Sequence, residues 1–488
     1  MLTLLALLLV SPQAPKLHDW PQFRGPGGLA LADETPIPID FGPDKHVRWK
    51  TKVPSGHSSP CIVGERLFLT GAEGNADVVL ALDRRDGKVL WSQRFEGEPL
   101  REFSHPDAAG ALATVACDGE RVVAYFGNYG LVALDLAGKV LWQKRLPQPR
   151  HAFGVGSSPI LLDGVVVLSR DGAPEGALLV LDAADGSELA SINRFGFGEA
   201  HGTPFLWRNA ERDELVVGGN GTLSSYDLGS GELLWNFKGT TAFPCTTPTA
   251  DKETLYFAAW STPNATGRSF WEAAFDRSLD LSDEETADPA LLFARLDTNG
   301  DGKIERAELP ECRAKDAFGV LDGNASGAWE KEEFVTMTPP DSAGKNLLVA
   351  VARGGKDELG ASHVRWTWER GLPYVSSPLL YRDRLWLFQS GGLASVLDAK
   401  TGQPLVDRER LPDRAEYYVS PVGAAGHVLI GSAEGTLYVL SAAVSESALT
   451  IEHTVTFDEG LFATPAVLDG VVYLRTATTQ WAFAAPAK

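Results

Sequence analysis

Short apolar runs such as Val471-Val472-Tyr473-Leu474 and Leu255-Tyr256-Phe257, broken by Asp, Gly and Pro, recur along most of the chain and predict many short strands joined by tight turns. The clearest unit is Ala81-Leu82-Asp83-Arg84-Arg85-Asp86-Gly87-Lys88-Val89-Leu90-Trp91, with variants at Ala133 to Trp142, Val180 to Gly186, Ser225 to Trp235 and Val396 to Gly402. Each residue type has a job. Asp ends a strand and accepts hydrogen bonds from the turn it opens, and Gly supplies the positive φ that closes the hairpin. Trp is large enough to dock between neighbouring sheets if its N–H finds a partner. Ala190 and Val406 replace it in two copies.

A second marker runs in phase with the first: a small residue before Pro60, Pro159, Pro204, Pro248, Pro378, Pro421 and Pro465, with Ala116 taking the slot where no Pro stands. The slots are spaced 56, 43, 45, 44, 130, 43 and 44 residues, which is eight units with one long insertion in the fifth. A unit of this length holding about four strands is a propeller blade, and helical solenoids would need a 3.6-residue period that these runs lack. The sequence therefore predicts an all-β, eight-bladed β-propeller with a small α-helical insertion in blade five. Val47 to Thr51 is expected to complete the last blade beside Val471 to Leu474 and Trp481 to Phe483, removing the open edges.

The insertion, between the strands near Phe257 and near Leu347, turns helical and highly charged. Asp288-Pro289 reads as an N-cap with Pro at the first helical position, followed by Leu292, Phe293 and Leu296 at helical spacing. Asp297 to Glu308 then meets the requirements of a twelve-residue EF-hand calcium loop: Asp297, Asn299, Asp301, Glu305 and Glu308 as oxygen donors, Gly302 at the sharp turn, and the Lys303 carbonyl. A second loop, with Asp322, Asn324, Ser326, the Ala328 carbonyl and Glu333, has one carboxylate fewer and carries Trp329 where a small aliphatic usually pairs two such loops. The loops start 25 residues apart and Pro310 interrupts the helix between them, so a structural or adhesive calcium site is expected rather than a calmodulin-like opening. Two Met in the whole chain offer no Met-rich groove.

Positions three before each slot should ring one mouth of the central channel. His57, His201 and Tyr418 stand there with Arg150, His151, Glu199 and Tyr417 nearby, a candidate binding site set against the plainer reading of solvated loop side chains. The blade-five insertion is expected on this same face.

Charge narrows the partners. With 44 Lys and Arg against 64 Asp and Glu the net charge is −20, which excludes nucleic acid as an electrostatic partner. Met1 to Val10 is an apolar run too short to span a bilayer; residues 1–14 read as a signal peptide and the chain as exported, periplasmic or extracellular. Cys61, Cys117, Cys245 and Cys312 form no C-x-x-C, and Cys61 and Cys117 read as buried free thiols, with a bridge between them as the alternative.

The Asp-turn-Gly-Trp repeat resembles that of the pyrroloquinoline quinone (PQQ)-like propellers of BamB and quinoprotein type, over about residues 45–260 and 346–488, on either side of an EF-hand insert at 261–345. Asp19-Trp20-Pro21-Gln22-Phe23-Arg24-Gly25-Pro26, within an N-terminal coil at 15–44, is similar to the start of secreted members. Two functions follow from the resemblance. One is a calcium-binding scaffold for another protein or an envelope polymer; the other is a quinoprotein-like oxidoreductase with PQQ in the channel. The dehydrogenases carry an adjacent Cys pair that this chain lacks, so the expectation is Ca2+ without PQQ, and scaffold before enzyme.

Overall fold

The structure, a computed structural model, describes residues 19–74, 76–99, 111–149, 154–171, 176–194, 200–219, 221–241, 243–261, 270–275, 278–316, 318–322, 326–337, 344–444 and 447–485. Arg101, His105, Arg150, His151, Glu199, Asn324 and the leader at 1–14 lie outside them.

Eight sheets form the ring, antiparallel throughout except in blade four, where Asp357–Glu358 adds a fifth, parallel strand outside Leu233–Lys238. Blade one runs Cys61–Val63, Arg66–Glu73, Ala76–Asp83 and Val89–Glu96 from the axis outward. Its third strand is buried at every position, because sheets pack on both of its faces, while the outermost strand alternates. Blade eight takes its outermost strand from the other end of the chain: Val47–Lys52 pairs with Thr479–Ala484, placing Lys50 opposite Trp481. Closure is therefore as expected in kind, although Thr479–Ala484 alone receives the N-terminal strand, with Val471–Arg475 one place further in.

Adjacent blades are joined by the repeat itself. The Trp49 indole donates to Arg84 O, Trp91 to Leu136 O, Trp142 to Ala183 O and Trp366 to Ala399 O, at 2.9–3.1 Å, so each Trp answers a carbonyl in the Asp turn of the next blade. The turn Gly lies beneath that ring; a Cβ at Gly138 (φ 88°) would stand 2.6 Å from Trp91. Trp235 of blade four departs from this rule. Blade five has no such turn, and Trp235 donates instead to Glu214 of its own blade.

The axis is closed by a ring of eight hydrogen bonds. The backbone N–H of Ser59 donates to the hydroxyl of Thr114, Thr114 to Ser158, Ser158 to Thr203, Thr203 to Thr247, Thr247 to Ser377, Ser377 to Ser420, Ser420 to Thr464, and Thr464 back to Ser59, at 2.9–3.1 Å. Each member directly precedes its slot residue, which corrects blade two: the slot belongs to Val115, not Ala116. Without Pro the register there is invisible in sequence; the hydroxyl of Thr114 sets it.

Residues 19–46 are more than coil. They strap the end of the channel opposite the mouth. Trp20 exchanges two backbone hydrogen bonds with Ile62, Pro21 O accepts from Cys117 N, and Ala30 and Ala32 pair with Gly423. Between these anchors Arg24, fully buried, donates to the carbonyls of Thr247, Pro248 and Pro378 on the inner ends of blades five and six.

Candidate functional site

At the mouth the structure brings together an aromatic arc from three successive blades. Tyr418 of blade seven, Phe462 of blade eight and His57 of blade one stack in series, with centroids 5.8 and 4.4 Å apart and planes 18° and 12° from parallel. All three are partly exposed. His201 of blade four lies apart from the arc and packs against Gly156 of blade three, where a Cβ would stand 3.0 Å from the His201 Cβ. Tyr417 does not belong to the mouth. It is 1% exposed between blades six and seven, and burial with Asp413 as its hydroxyl's partner pushes its pKa up.

The insertion leaves blade five after Thr254–Ala259 and returns at Leu347–Ala352, so its stems rise from the mouth face. They are fastened to each other and to the mouth: Ser261 N donates to Asn346 Oδ1 at 2.8 Å and Asn346 Nδ2 to Ser261 O at 2.9 Å, while Trp260 meets Tyr374 edge-on at 5.2 Å. Lys345 N donates to Gly239 O of the neighbouring blade.

Within the insertion, Asp288 caps the helix Pro289–Leu296 through Ala290 N, as its sequence predicts. The loop that follows is wound around its own carboxylates. Asp297 accepts from the backbone N–H of Gly300, Asp301 and Gly302; Asn299 accepts from Asp301, and Asp301 from Lys303, at 2.8–3.1 Å. Gly302 has φ 83°, the conformation its place in the loop needs. Glu308 reaches back to Thr298, Asn299 and Glu305; burial works against its charge, but these donors hold its pKa below the usual value. In the second loop Asp322 likewise gathers Ser326 N and Gly327 N, and Gly327 has φ 88°. The two loops pair: Lys303–Glu305 and Ala328–Glu330 form a two-stranded sheet with Ile304 opposite Trp329, both fully buried. The bulk of Trp329 is accommodated because Phe318 stacks on it at 4.6 Å and accepts its indole N–H.

Among the described residues no group of three His, Cys, Asp or Glu side chains is gathered as a metal cage. The donor chemistry fits calcium even so: every side chain at a ligand position of the first loop is an oxygen donor, and the turn glycine is in place.

Sequence reading missed Arg24, Arg475 and Asp77. Arg475, fully buried, bridges blades eight and one through the carbonyls of Ser58, Thr70 and Pro54. Burial lowers the pKa of Arg24 and of Arg475 to about 9, and neither has a carboxylate partner among the described residues. Asp77 is 2% exposed with one carboxylate oxygen unanswered among the described residues, and burial raises its pKa to about 7, against the lowering effect of Asn128. Arginine in a coil and an aspartate in a strand carry no pattern that betrays burial. The four cysteines are free; Cys61 donates to Val115 O, and burial raises the pKa of Cys61 and of Cys117.

Comparison with known proteins locates these features. A family model described as outer membrane protein assembly factor BamB matches residues 42–169, and an EF-hand model matches residues 290–311. The chain is 28% identical over 209 residues to the outer membrane protein assembly factor BamB of Burkholderia pseudomallei, covering 40% of this chain and 48% of that protein. It is 27% identical over 163 residues to the quinohemoprotein alcohol dehydrogenase ADH IIB of Pseudomonas putida, covering 32% and 23%. The chain thus spans about half the length of the BamB relatives it matches. In structure it is similar to BamB from Moraxella catarrhalis, with a TM-score of 0.55 at 13% identity over 90% of this chain and 98% of that one, a likeness of fold. No helix among the described residues is long and apolar enough to cross a membrane.

Proposed function

Because the chain is a PQQ-like β-propeller carrying an EF-hand insert, we propose that it is an exported interaction scaffold of the cell envelope, with the mouth face as its working surface and calcium held in the insertion beside it. The single observation that carries this reading is the placement of the stems. Ser261, Asn346 and Trp260 root the calcium module on the face where Tyr418, Phe462 and His57 form the aromatic arc. A partly exposed aromatic cluster on a rigid propeller rim suits a protein or polymer partner. The relatives named as outer membrane assembly factors support an envelope setting.

In the first loop Asp297, Asn299, Asp301, Glu308 and the Lys303 carbonyl hold the ion, with Glu305 direct or through water, and Asp322, Ser326, the Ala328 carbonyl and Glu333 serve the second loop with Asn324. Such loops bind at about 10⁻⁴ to 10⁻³ M in extracellular modules, enough for millimolar calcium outside the cytoplasm. The residues present do not fit the quinone site of the dehydrogenase relatives: no two cysteines are adjacent, and Cys61 and Cys117 are buried.

The test is a photoreactive phenylalanine analogue placed at Phe462 or at Leu90, which is exposed on the outer rim of blade one. Crosslinking of a defined envelope component from Phe462 and not from Leu90 is expected. Equal crosslinking from both, or none from Phe462, contradicts the proposal.

A further inference from the structure

The repeat places equivalent backbone groups around the lower end of the channel. Ile62, Cys117 and Gly423 each stand two residues after their slot, and each offers its peptide group toward the axis, where the strap takes it. Trp20 N donates to Ile62 O at 2.7 Å and Ile62 N to Trp20 O at 2.8 Å; Cys117 N donates to Pro21 O at 2.8 Å; Gly423 N donates to Ala30 O and Ala32 N to Gly423 O at 2.9 Å. Trp20 and Pro21 are consecutive, so one extended segment can serve neighbouring blades.

In blades three to five the strap takes no peptide group at this repeat position. The equivalent residues there are Leu161, Leu206 and Ala250, opposite Val166, Leu215 and Leu255 just as Ile62 is opposite Leu67. That register turns their N–H and C=O away from the second strand and toward the axis. Among the described residues, no group outside their own sheets bonds to them. All three line one cleft of about 970 Å³ beside the strap, bordered also by Val63 to Arg66 of blade one and Cys117 to Gly119 of blade two. Its walls are apolar at Phe205, Trp207 and Leu29, and six acidic side chains against four basic ones line it. Several of these charges already have partners: Arg84 pairs with Asp469 at 2.6 Å, Arg121 with Asp118 at 2.6 Å, Arg85 with Glu65 at 3.6 Å and Arg208 with Asp213 at 3.5 Å, which leaves Asp19, Asp163 and Asp251 against Arg66 and Lys252 without an ion pair among the described residues.

We infer that this lower cleft is a second binding site, independent of the mouth, which takes an extended basic polypeptide segment of a partner protein by backbone pairing at Leu161, Leu206 and Ala250. The chain's own strap shows the mode of pairing: extended backbone added at the same repeat position. The apolar walls take side chains from one face of the segment, and Asp19, Asp163 and Asp251 select lysine and arginine on the other.

The probe is a fluorescent ten-residue peptide that alternates valine with lysine and is blocked at both ends. Leu161→Pro removes one axis-facing donor and leaves the ladder intact, because the Leu161 N–H lies outside it. Saturable binding to wild type, weakened at least tenfold by Leu161→Pro and unchanged by Phe462→Ala, is expected. Hydrogen exchange on the wild type needs no variant to fold: bound peptide should slow exchange in the segments containing Leu161, Leu206 and Ala250. Absence of saturable binding, or binding without protection of those segments, overturns the inference.

Discussion

At the scale of single residues, the informative groups are buried ionisable side chains without a counter-charge among the described residues. Asp77 sits against Asn128 and Gly97 with no cationic partner among the described residues, and burial raises its carboxyl to about 7 in the folded chain from an ordinary value of 3.8. Between those values the unfolded chain has released the proton while the folded chain still holds it, so stability falls as pH rises from about 4 to 7 and levels off above. Replacing Asp77 by Asn should remove that slope and raise stability at pH 8 by about 2–4 kcal/mol, with little change at pH 4; urea unfolding at both values checks it. Arg24 works the other way. Arg24→Met leaves the carbonyls of Thr247, Pro248 and Pro378 without their donor, an expected loss of about 2 kcal/mol after relief of the buried charge, read from the urea midpoint.

At the scale of elements, the EF-hand insertion has a core built from its own aromatics. Trp271, on the helix Phe270–Phe275, stacks on Phe334 at 4.2 Å and lies 6.3 Å from Trp329, whose strand joins the two loops. Trp271 thus belongs to the core that carries both loops, so Trp271→Ala should cost the insertion about 3–5 kcal/mol and loosen calcium binding, measured by calorimetric titration. The same titration should lose the stronger site in both Asp297→Ala and Glu308→Ala. The first loop was legible because calcium geometry demands particular residues at fixed positions. How Trp329 fits at the pairing position was not legible, because Phe318, eleven residues away, accepts its indole and covers its ring.

At the scale of the whole molecule, the ring was legible because its joints are the repeat: Asp, Gly and Trp recur where one blade clasps the next, and a hydroxyl precedes each slot. The strap was not. Its bonds to Ile62, Cys117 and Gly423 run through backbone groups, which leave no trace in side-chain pattern, and its one decisive side chain, Arg24, sits in a stretch without periodicity. The mouth was half legible. His57 and Tyr418 were placed by counting back from Pro, but counting cannot tell that the neighbouring Tyr417 turns into the core. What unites these parts is the proposal that calcium in the insertion orders the face from which its stems rise. Hydrogen exchange of the wild type with and without calcium tests this most directly. Calcium should slow exchange in the segments holding Trp260, Ser261, Asn346 and Tyr374, and should do nothing there in the Asp297→Ala, Glu308→Ala double variant. Identical exchange in those segments with and without calcium in the wild type would contradict the account.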